Sequence, residues 1–202
     1  MKHHALILLA SLFVSSVHAD DWKPDAGFVS LFNGKDLTGW CFRAKTDRKD
    51  PSIGAVLEKF DGKAEAKDAG HYFVKDGAFV VSFPTEADKL TGQIYTVAEF
   101  PKNFVLKLEF RASVNADSGI FIRKPQLQCR DYLVAGPYKT LTKYKPQDWN
   151  QVEVTVKDGV AHCTCNGEVL EAALALPPTG PIGLEGDRGQ MEYRHIQLKE
   201  TP

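Results

Sequence analysis

Asn103-Phe104-Val105-Leu106-Lys107-Leu108-Glu109-Phe110-Arg111 is the stretch that decides the fold. Phe104, Leu106, Leu108 and Phe110 recur with period two, and Val105, Lys107, Glu109 and Arg111 fall between them. Such alternation predicts a strand with one apolar and one polar face. Val152, Val154 and Val156 repeat the pattern and run into Asp158-Gly159. Val160 to Cys165 then meets Asn166-Gly167, and Glu168-Val169-Leu170 returns. Asp-Gly and Asn-Gly supply the positive φ angles of tight hairpin turns, so this region predicts an antiparallel meander. Asp76-Gly77 likewise joins His71–Lys75 to Ala78–Phe83.

Farther out, the 16 glycines and 11 prolines fall mostly between short β-rich runs. No internal repeat appears, and no long helical period follows residue 19. Many short strands with tight turns predict an all-β sandwich or barrel. Lys45–Ala69 is charged and rich in small residues, and reads as a long loop with at most one helical turn.

Residues 1–19 have the layout of a signal peptide: Lys2, the apolar run Ala5–Val14, then Val17-His18-Ala19. The run is shorter than the ~20 residues a membrane helix needs, and no later segment is longer, so no membrane partner is expected. The reading is a leader over 1–19, a single domain over 20–202, and export to the periplasm or exterior. The net charge of −1 becomes −2 with the loss of Lys2. That balance lacks the basic excess a nucleic-acid partner requires.

Cys41, Cys129, Cys163 and Cys165 permit disulfides in an oxidising compartment. Cys163 and Cys165 alternate onto one side of a strand, where a bond between them would strain the backbone. A bond from one of them to Cys129 or Cys41 is expected, with buried free thiols as the alternative. Cys-x-Cys without a second close pair falls short of a zinc site.

Charge on strands marks the candidate site. Glu109 and Arg111 sit opposite an aliphatic and aromatic face. In Gly119-Ile120-Phe121-Ile122-Arg123, inward Ile120 and Ile122 would turn Phe121 and Arg123 outward. In Gln126-Leu127-Gln128-Cys129-Arg130-Asp131, alternation turns Gln126, Gln128 and Arg130 outward. Carboxylates, amides and guanidinia of this kind can engage paired sugar hydroxyls. An ordinary solvated sheet face gives the same pattern. Glu109, Asp131, Glu185, Asp187, His71, His162 and His195 are the groups able to carry a proton. No phosphate loop, nucleophile elbow or metal motif of fixed spacing is present.

Several blocks together resemble the 3-keto-disaccharide hydrolase family. They are Gly27 to Trp40 (above all Leu31-Phe32-Asn33-Gly34-Lys35-Asp36-Leu37-Thr38-Gly39-Trp40), Asn103 to Arg111, Asp117-Ser118-Gly119-Ile120-Phe121-Ile122-Arg123, Trp149-Asn150, Asn166-Gly167 and Gly180-Pro181-Ile182-Gly183-Leu184. The resemblance spans about 27 to 200. It implies a concanavalin-like jelly-roll β-sandwich of two antiparallel sheets and a carbohydrate or keto-sugar substrate. A ketone at C3 acidifies the C2–H, so a base can remove that proton and the C1 substituent can leave, after which water adds. Glu109 or Asp131 would be the base, and Arg123 or Arg130 the donor to the enolate oxygen. Arg111, Gln126, Gln128, Arg130 and Glu185 would bind substrate. No cofactor is evident; a divalent metal could replace the arginine, but no ligand set demands one. The family pattern Glu-x-Gln-x-x-Asp reads Gln126, Gln128, Asp131 here, so an amide stands where a carboxylate is expected. A non-catalytic carbohydrate-binding module is the alternative. The enzyme reading requires Glu109, Arg123 and Gln128 to surround one concavity.

Overall fold

Phe104, Leu106, Leu108 and Phe110 are all buried, and the residues between them are partly exposed, along a nine-residue strand. The computed structural model describes residues 22–46, 50, 53–67, 71–82, 92–134 and 136–202. The leader expected at 1–19 lies outside the described residues. In chain order the strands are β1 (Val29–Ser30), β2 (Trp40–Arg43), β3 (Val56–Lys59), β4 (Glu65–Lys67), β5 (His71–Lys75), β6 (Ala78–Ser82), β7 (Gly92–Thr96) and β8 (Phe104–Ala112). They continue as β9 (Gly119–Ile122), β10 (Gln126–Gln128), β11 (Asn150–Lys157), β12 (Val160–Cys165), β13 (Glu168–Ala175), β14 (Ile182–Gly186) and β15 (Gln190–Glu200).

Two antiparallel sheets pack face to face, as the jelly-roll reading expects. The larger runs β13-β12-β11-β8-β15-β6-β5-β4, with β1 added to β15; the smaller runs β10-β9-β14-β7-β2-β3. Leu106, Leu108 and Phe110 of the large sheet share one core with Trp40, Ile94, Ile120, Ile182 and Leu184 of the small one. Burial of such side chains stabilises by roughly 1.5–3 kcal/mol each. The hairpin turns form where the residue types demand them: Asp76, Asp158, Asn166 and the glycine after each have φ between 49° and 79°.

The Leu31–Trp40 block is architectural. Asn33 Oδ1 accepts the backbone N–H groups of Lys35 and Asp36 at 2.8 and 2.9 Å, and Asp36 Oδ1 accepts that of Thr38. The turn delivers Trp40 into the core, where its Nε1 donates to the Leu31 carbonyl at 2.9 Å.

Two expectations are corrected. The described residues of Lys45–Ala69 hold β3 and β4 and no helical turn. Both are edge strands; β3 is exposed along its whole length and β4 is three residues long with only Ala66 buried, so neither shows period two. The four cysteines are free and buried. Burial pushes the thiols up, to about 12 for Cys163 and Cys165, so each packs as a small apolar side chain.

Candidate functional site

Alternation builds the outer face of the small sheet. On β14, Ile182 and Leu184 enter the core, which turns Gly183 and Glu185 outward. On β7, Ile94 enters the core, so Tyr95 stands beside Gly183 and Gln93 beside Glu185. On β9 and β10, Phe121 pairs with Gln126 and Gly119 with Gln128, while Leu127 turns inward.

Glu185 is the centre of this face. Gln93 Nε2 donates to its Oε1 at 3.3 Å, and Gln126 Nε2 donates to its Oε2. Behind Gln93, the Tyr95 hydroxyl donates to Gln93 Oε1 at 3.5 Å; behind Gln126, Gln128 Nε2 donates to Gln126 Oε1 at 2.9 Å. Two hydrogen-bond chains therefore converge on one carboxylate. Only 7% of Glu185 is exposed. Burial pushes its carboxyl up to about 7; the Gln93 and Gln126 hydrogen bonds oppose this, and the charges of Asp187 and Asp117 add to it. Burial, with the Glu185 charge nearby, also holds the Tyr95 phenol protonated well beyond its usual range. The peptide that carries the carboxylate is fixed as well, because Ser118 Oγ donates to the Glu185 carbonyl.

An aromatic shelf flanks the carboxylate. A Cβ on Gly183 would overlap the Tyr95 ring, so glycine lets that ring lie across β14. Phe121 meets it edge-on at 6.0 Å. Beyond Ser118, Arg130 pairs with Asp117 at 3.0 Å, and Arg188 approaches the same carboxylate at 3.7 Å. Lys124 Nζ donates to Thr46 Oγ1 at 2.9 Å and to the Asp50 carbonyl. Thr46 and Asp50, which follow β2, thus reach the β9–β10 turn.

The sequence candidates divide between places. Glu185, Gln126 and Gln128 come together on this face, with Arg130 at its end. Glu109 and Arg111 point outward from the large sheet, on the opposite side of the sandwich. There Glu109 Oε2 accepts from Arg194 Nε at 2.7 Å and lies 3.2 Å from His195 Nδ1. Arg111 pairs with Glu192 and, like Arg194, lies over the Trp149 ring. Arg123 is inside: β9 ends at Ile122, Arg123 takes φ +63°, and its guanidinium donates to the carbonyls of Phe100, Pro177 and Lys102 at 2.7–2.8 Å. The positive φ breaks the alternation that pointed it outward. Asp131 is 2% exposed and accepts from the Asn115 N–H, the Tyr144 hydroxyl and Gln147 Nε2. Glu109, Arg123 and Gln128 therefore surround no common concavity. Gln93 and Tyr95 were missed, although Gly92-Gln93-Ile94-Tyr95-Thr96 carries the period-two signal that pairs them. Among the described residues, no cluster of three His, Cys, Asp or Glu side chains is placed to hold a metal ion.

The 3-keto-alpha-glucoside-1,2-lyase-like domain family matches residues 27–199. Among solved structures, a candidate glycosyl hydrolase from Parabacteroides distasonis ATCC 8503 is similar at 19% identity and a TM-score of 0.62, over 87% of this chain and 95% of that one. A second candidate glycosyl hydrolase from the same organism aligns at 18% identity and a TM-score of 0.51, over 64% of this chain and 90% of its own. At these identities the likeness is one of fold. Among curated proteins, none matches this chain.

Proposed function

We propose a function from one premise: this chain belongs to the 3-keto-alpha-glucoside-1,2-lyase-like family. It cleaves the glycosidic bond of a 3-keto-glycoside, with Glu185 as the base. The observation that carries this reading is the buried Glu185 carboxylate, both oxygens held by amides, with its carboxyl near 7. A base poised near the working pH is what proton abstraction beside a ketone requires.

In the first step the Glu185 carboxylate takes the C2 proton, and the C–H electrons pass into the C3 carbonyl as an enolate. Gln93, Gln126 and Gln128 each carry a second amide N–H at that face to stabilise the oxygen. The enolate electrons then form C1=C2, the C1–O bond breaks, and the departing oxygen takes the proton from Glu185, which restores the carboxylate. Water adds its hydroxyl to C1 and a proton to C2, which restores the keto-sugar and completes hydrolysis. The Tyr95–Phe121 shelf offers an apolar surface on which a sugar ring can rest. The leader expected over 1–19 would place this chemistry outside the cytoplasm.

The test is to incubate purified protein with a 3-keto-disaccharide and follow the released sugar. Glu185→Gln preserves shape and should slow turnover about 10²- to 10⁴-fold. Turnover undiminished in that variant would overturn the assignment. Binding of glycans without turnover by the wild type would assign the face to a carbohydrate-binding module instead.

A further inference from the structure

Gln126 stands on β10 and Glu185 on β14, with β9 between them, yet their side chains are directly hydrogen bonded. The contact crosses β9 at Gly119, the strand's first residue. A Cβ built on Gly119 would overlap the Gln126 side chain along Cγ, Cδ and Nε2. Gly119 has no positive φ that would require glycine on backbone grounds. What glycine supplies here is a gap through which an amide from one strand reaches a carboxylate two strands away. Gln128, paired with Gly119 in the register, donates to Gln126 Oε1 and so leaves the amide nitrogen turned toward Glu185.

We infer that Gln126 is a positioning residue for the Glu185 base, and that it acts through a passage across β9 that only glycine at 119 leaves open. This rests on the reading of Glu185 as the base. Two consequences separate the arrangement from mere packing. Gly119→Ala should act by displacing Gln126, so its effect should match that of removing the Gln126 amide. An amide at 126 is also required for a single carboxyl at this face. Glu at 126 would put two carboxyls in contact, and such a pair gives up its protons in two separated steps.

The experiment compares Gly119→Ala, Gln126→Met, the double variant and Gln126→Glu with the wild type in pH–rate profiles on a 3-keto-disaccharide. Alongside, the side-chain carboxyls are titrated by NMR with ¹³C-labelled glutamate, Glu185→Gln identifying the signal. Either single change should lower kcat, by up to about 100-fold, with KM little altered. Each should move the Glu185 midpoint upward, because the lost hydrogen bond favoured the charged form. The double variant should be no worse than either single one. Gln126→Glu should split the titration. Additive losses, or a Glu185 midpoint unmoved by Gln126→Met, would overturn the inference. If Gly119→Ala fails to fold, the two Gln126 variants still decide. If the wild type turns over no keto-glycoside, the function fails while the titrations still report whether the coupling exists.

Discussion

Glu185 and Arg123 show how burial assigns opposite duties to charged side chains. Glu185 is nearly enclosed, and burial outweighs its amide hydrogen bonds, so its proton is retained to about pH 7. The unfolded chain releases that proton near 4.5, so the folded state binds more protons between the two values. The stability from this group is therefore present below 4.5 and is lost as pH rises to about 7, a difference of about 3 kcal/mol. Glu185→Gln should flatten that slope and leave the protein more stable than wild type at pH 8, as read from urea midpoints across pH. Arg123 has the reverse character, its guanidinium donating to three backbone carbonyls. Arg123→Ala would strand those carbonyls at a cost of about 3 kcal/mol or more. Chemical denaturation of the variant measures the loss.

At the scale of the element, the β12–β13 hairpin was legible because Asn166-Gly167 fits only one kind of turn. Asn166 has φ +49° and Gly167 +79°. The Asn166 amide also donates to the Lys143 carbonyl and to Asn150 Oδ1, and its oxygen accepts the Gln151 N–H. Asn166→Ala loses both features and should cost about 2 kcal/mol, whereas Asn166→Gly keeps the turn and should cost less. Thermal unfolding of the two variants distinguishes these contributions. Two of the strands that were missed, β3 and β4, lack any comparable signal. β3 and β4 lie at sheet edges, and their pairing comes from backbone hydrogen bonds to β2 and β5, which any sequence can make.

For the whole molecule, the decisive fact is that the two sheets present their polar faces in opposite directions. Glu109 and Glu185 each stand on a strand with an apolar reverse, so by pattern alone they are equivalent. In the sandwich Glu109 is paired with Arg194 and His195 on the large sheet, while Glu185 lies among amides on the small one. Glu109→Gln should leave turnover of a 3-keto-disaccharide and its pH profile as in wild type, with Glu185→Gln as the inactive control in the same assay. Loss of turnover on changing Glu109 would return the chemistry to the large sheet.

The strands β5, β6, β8 and β11 to β13 of the large sheet, and the turns between them, were determined by the sequence alone. Period-two burial and positive-φ residues are local properties, written wherever a strand must bury one side. Which polar side chains share one face of the sandwich was decided only by the tertiary structure. The pleat states which side chains share a side of their own strand, but not which way that side faces once the sheets have packed. For the same reason the carboxylate missing at Gln126 could not be located from the chain. The carboxylate that meets Gln126 in the sandwich is that of Glu185, 59 positions on, across a single glycine.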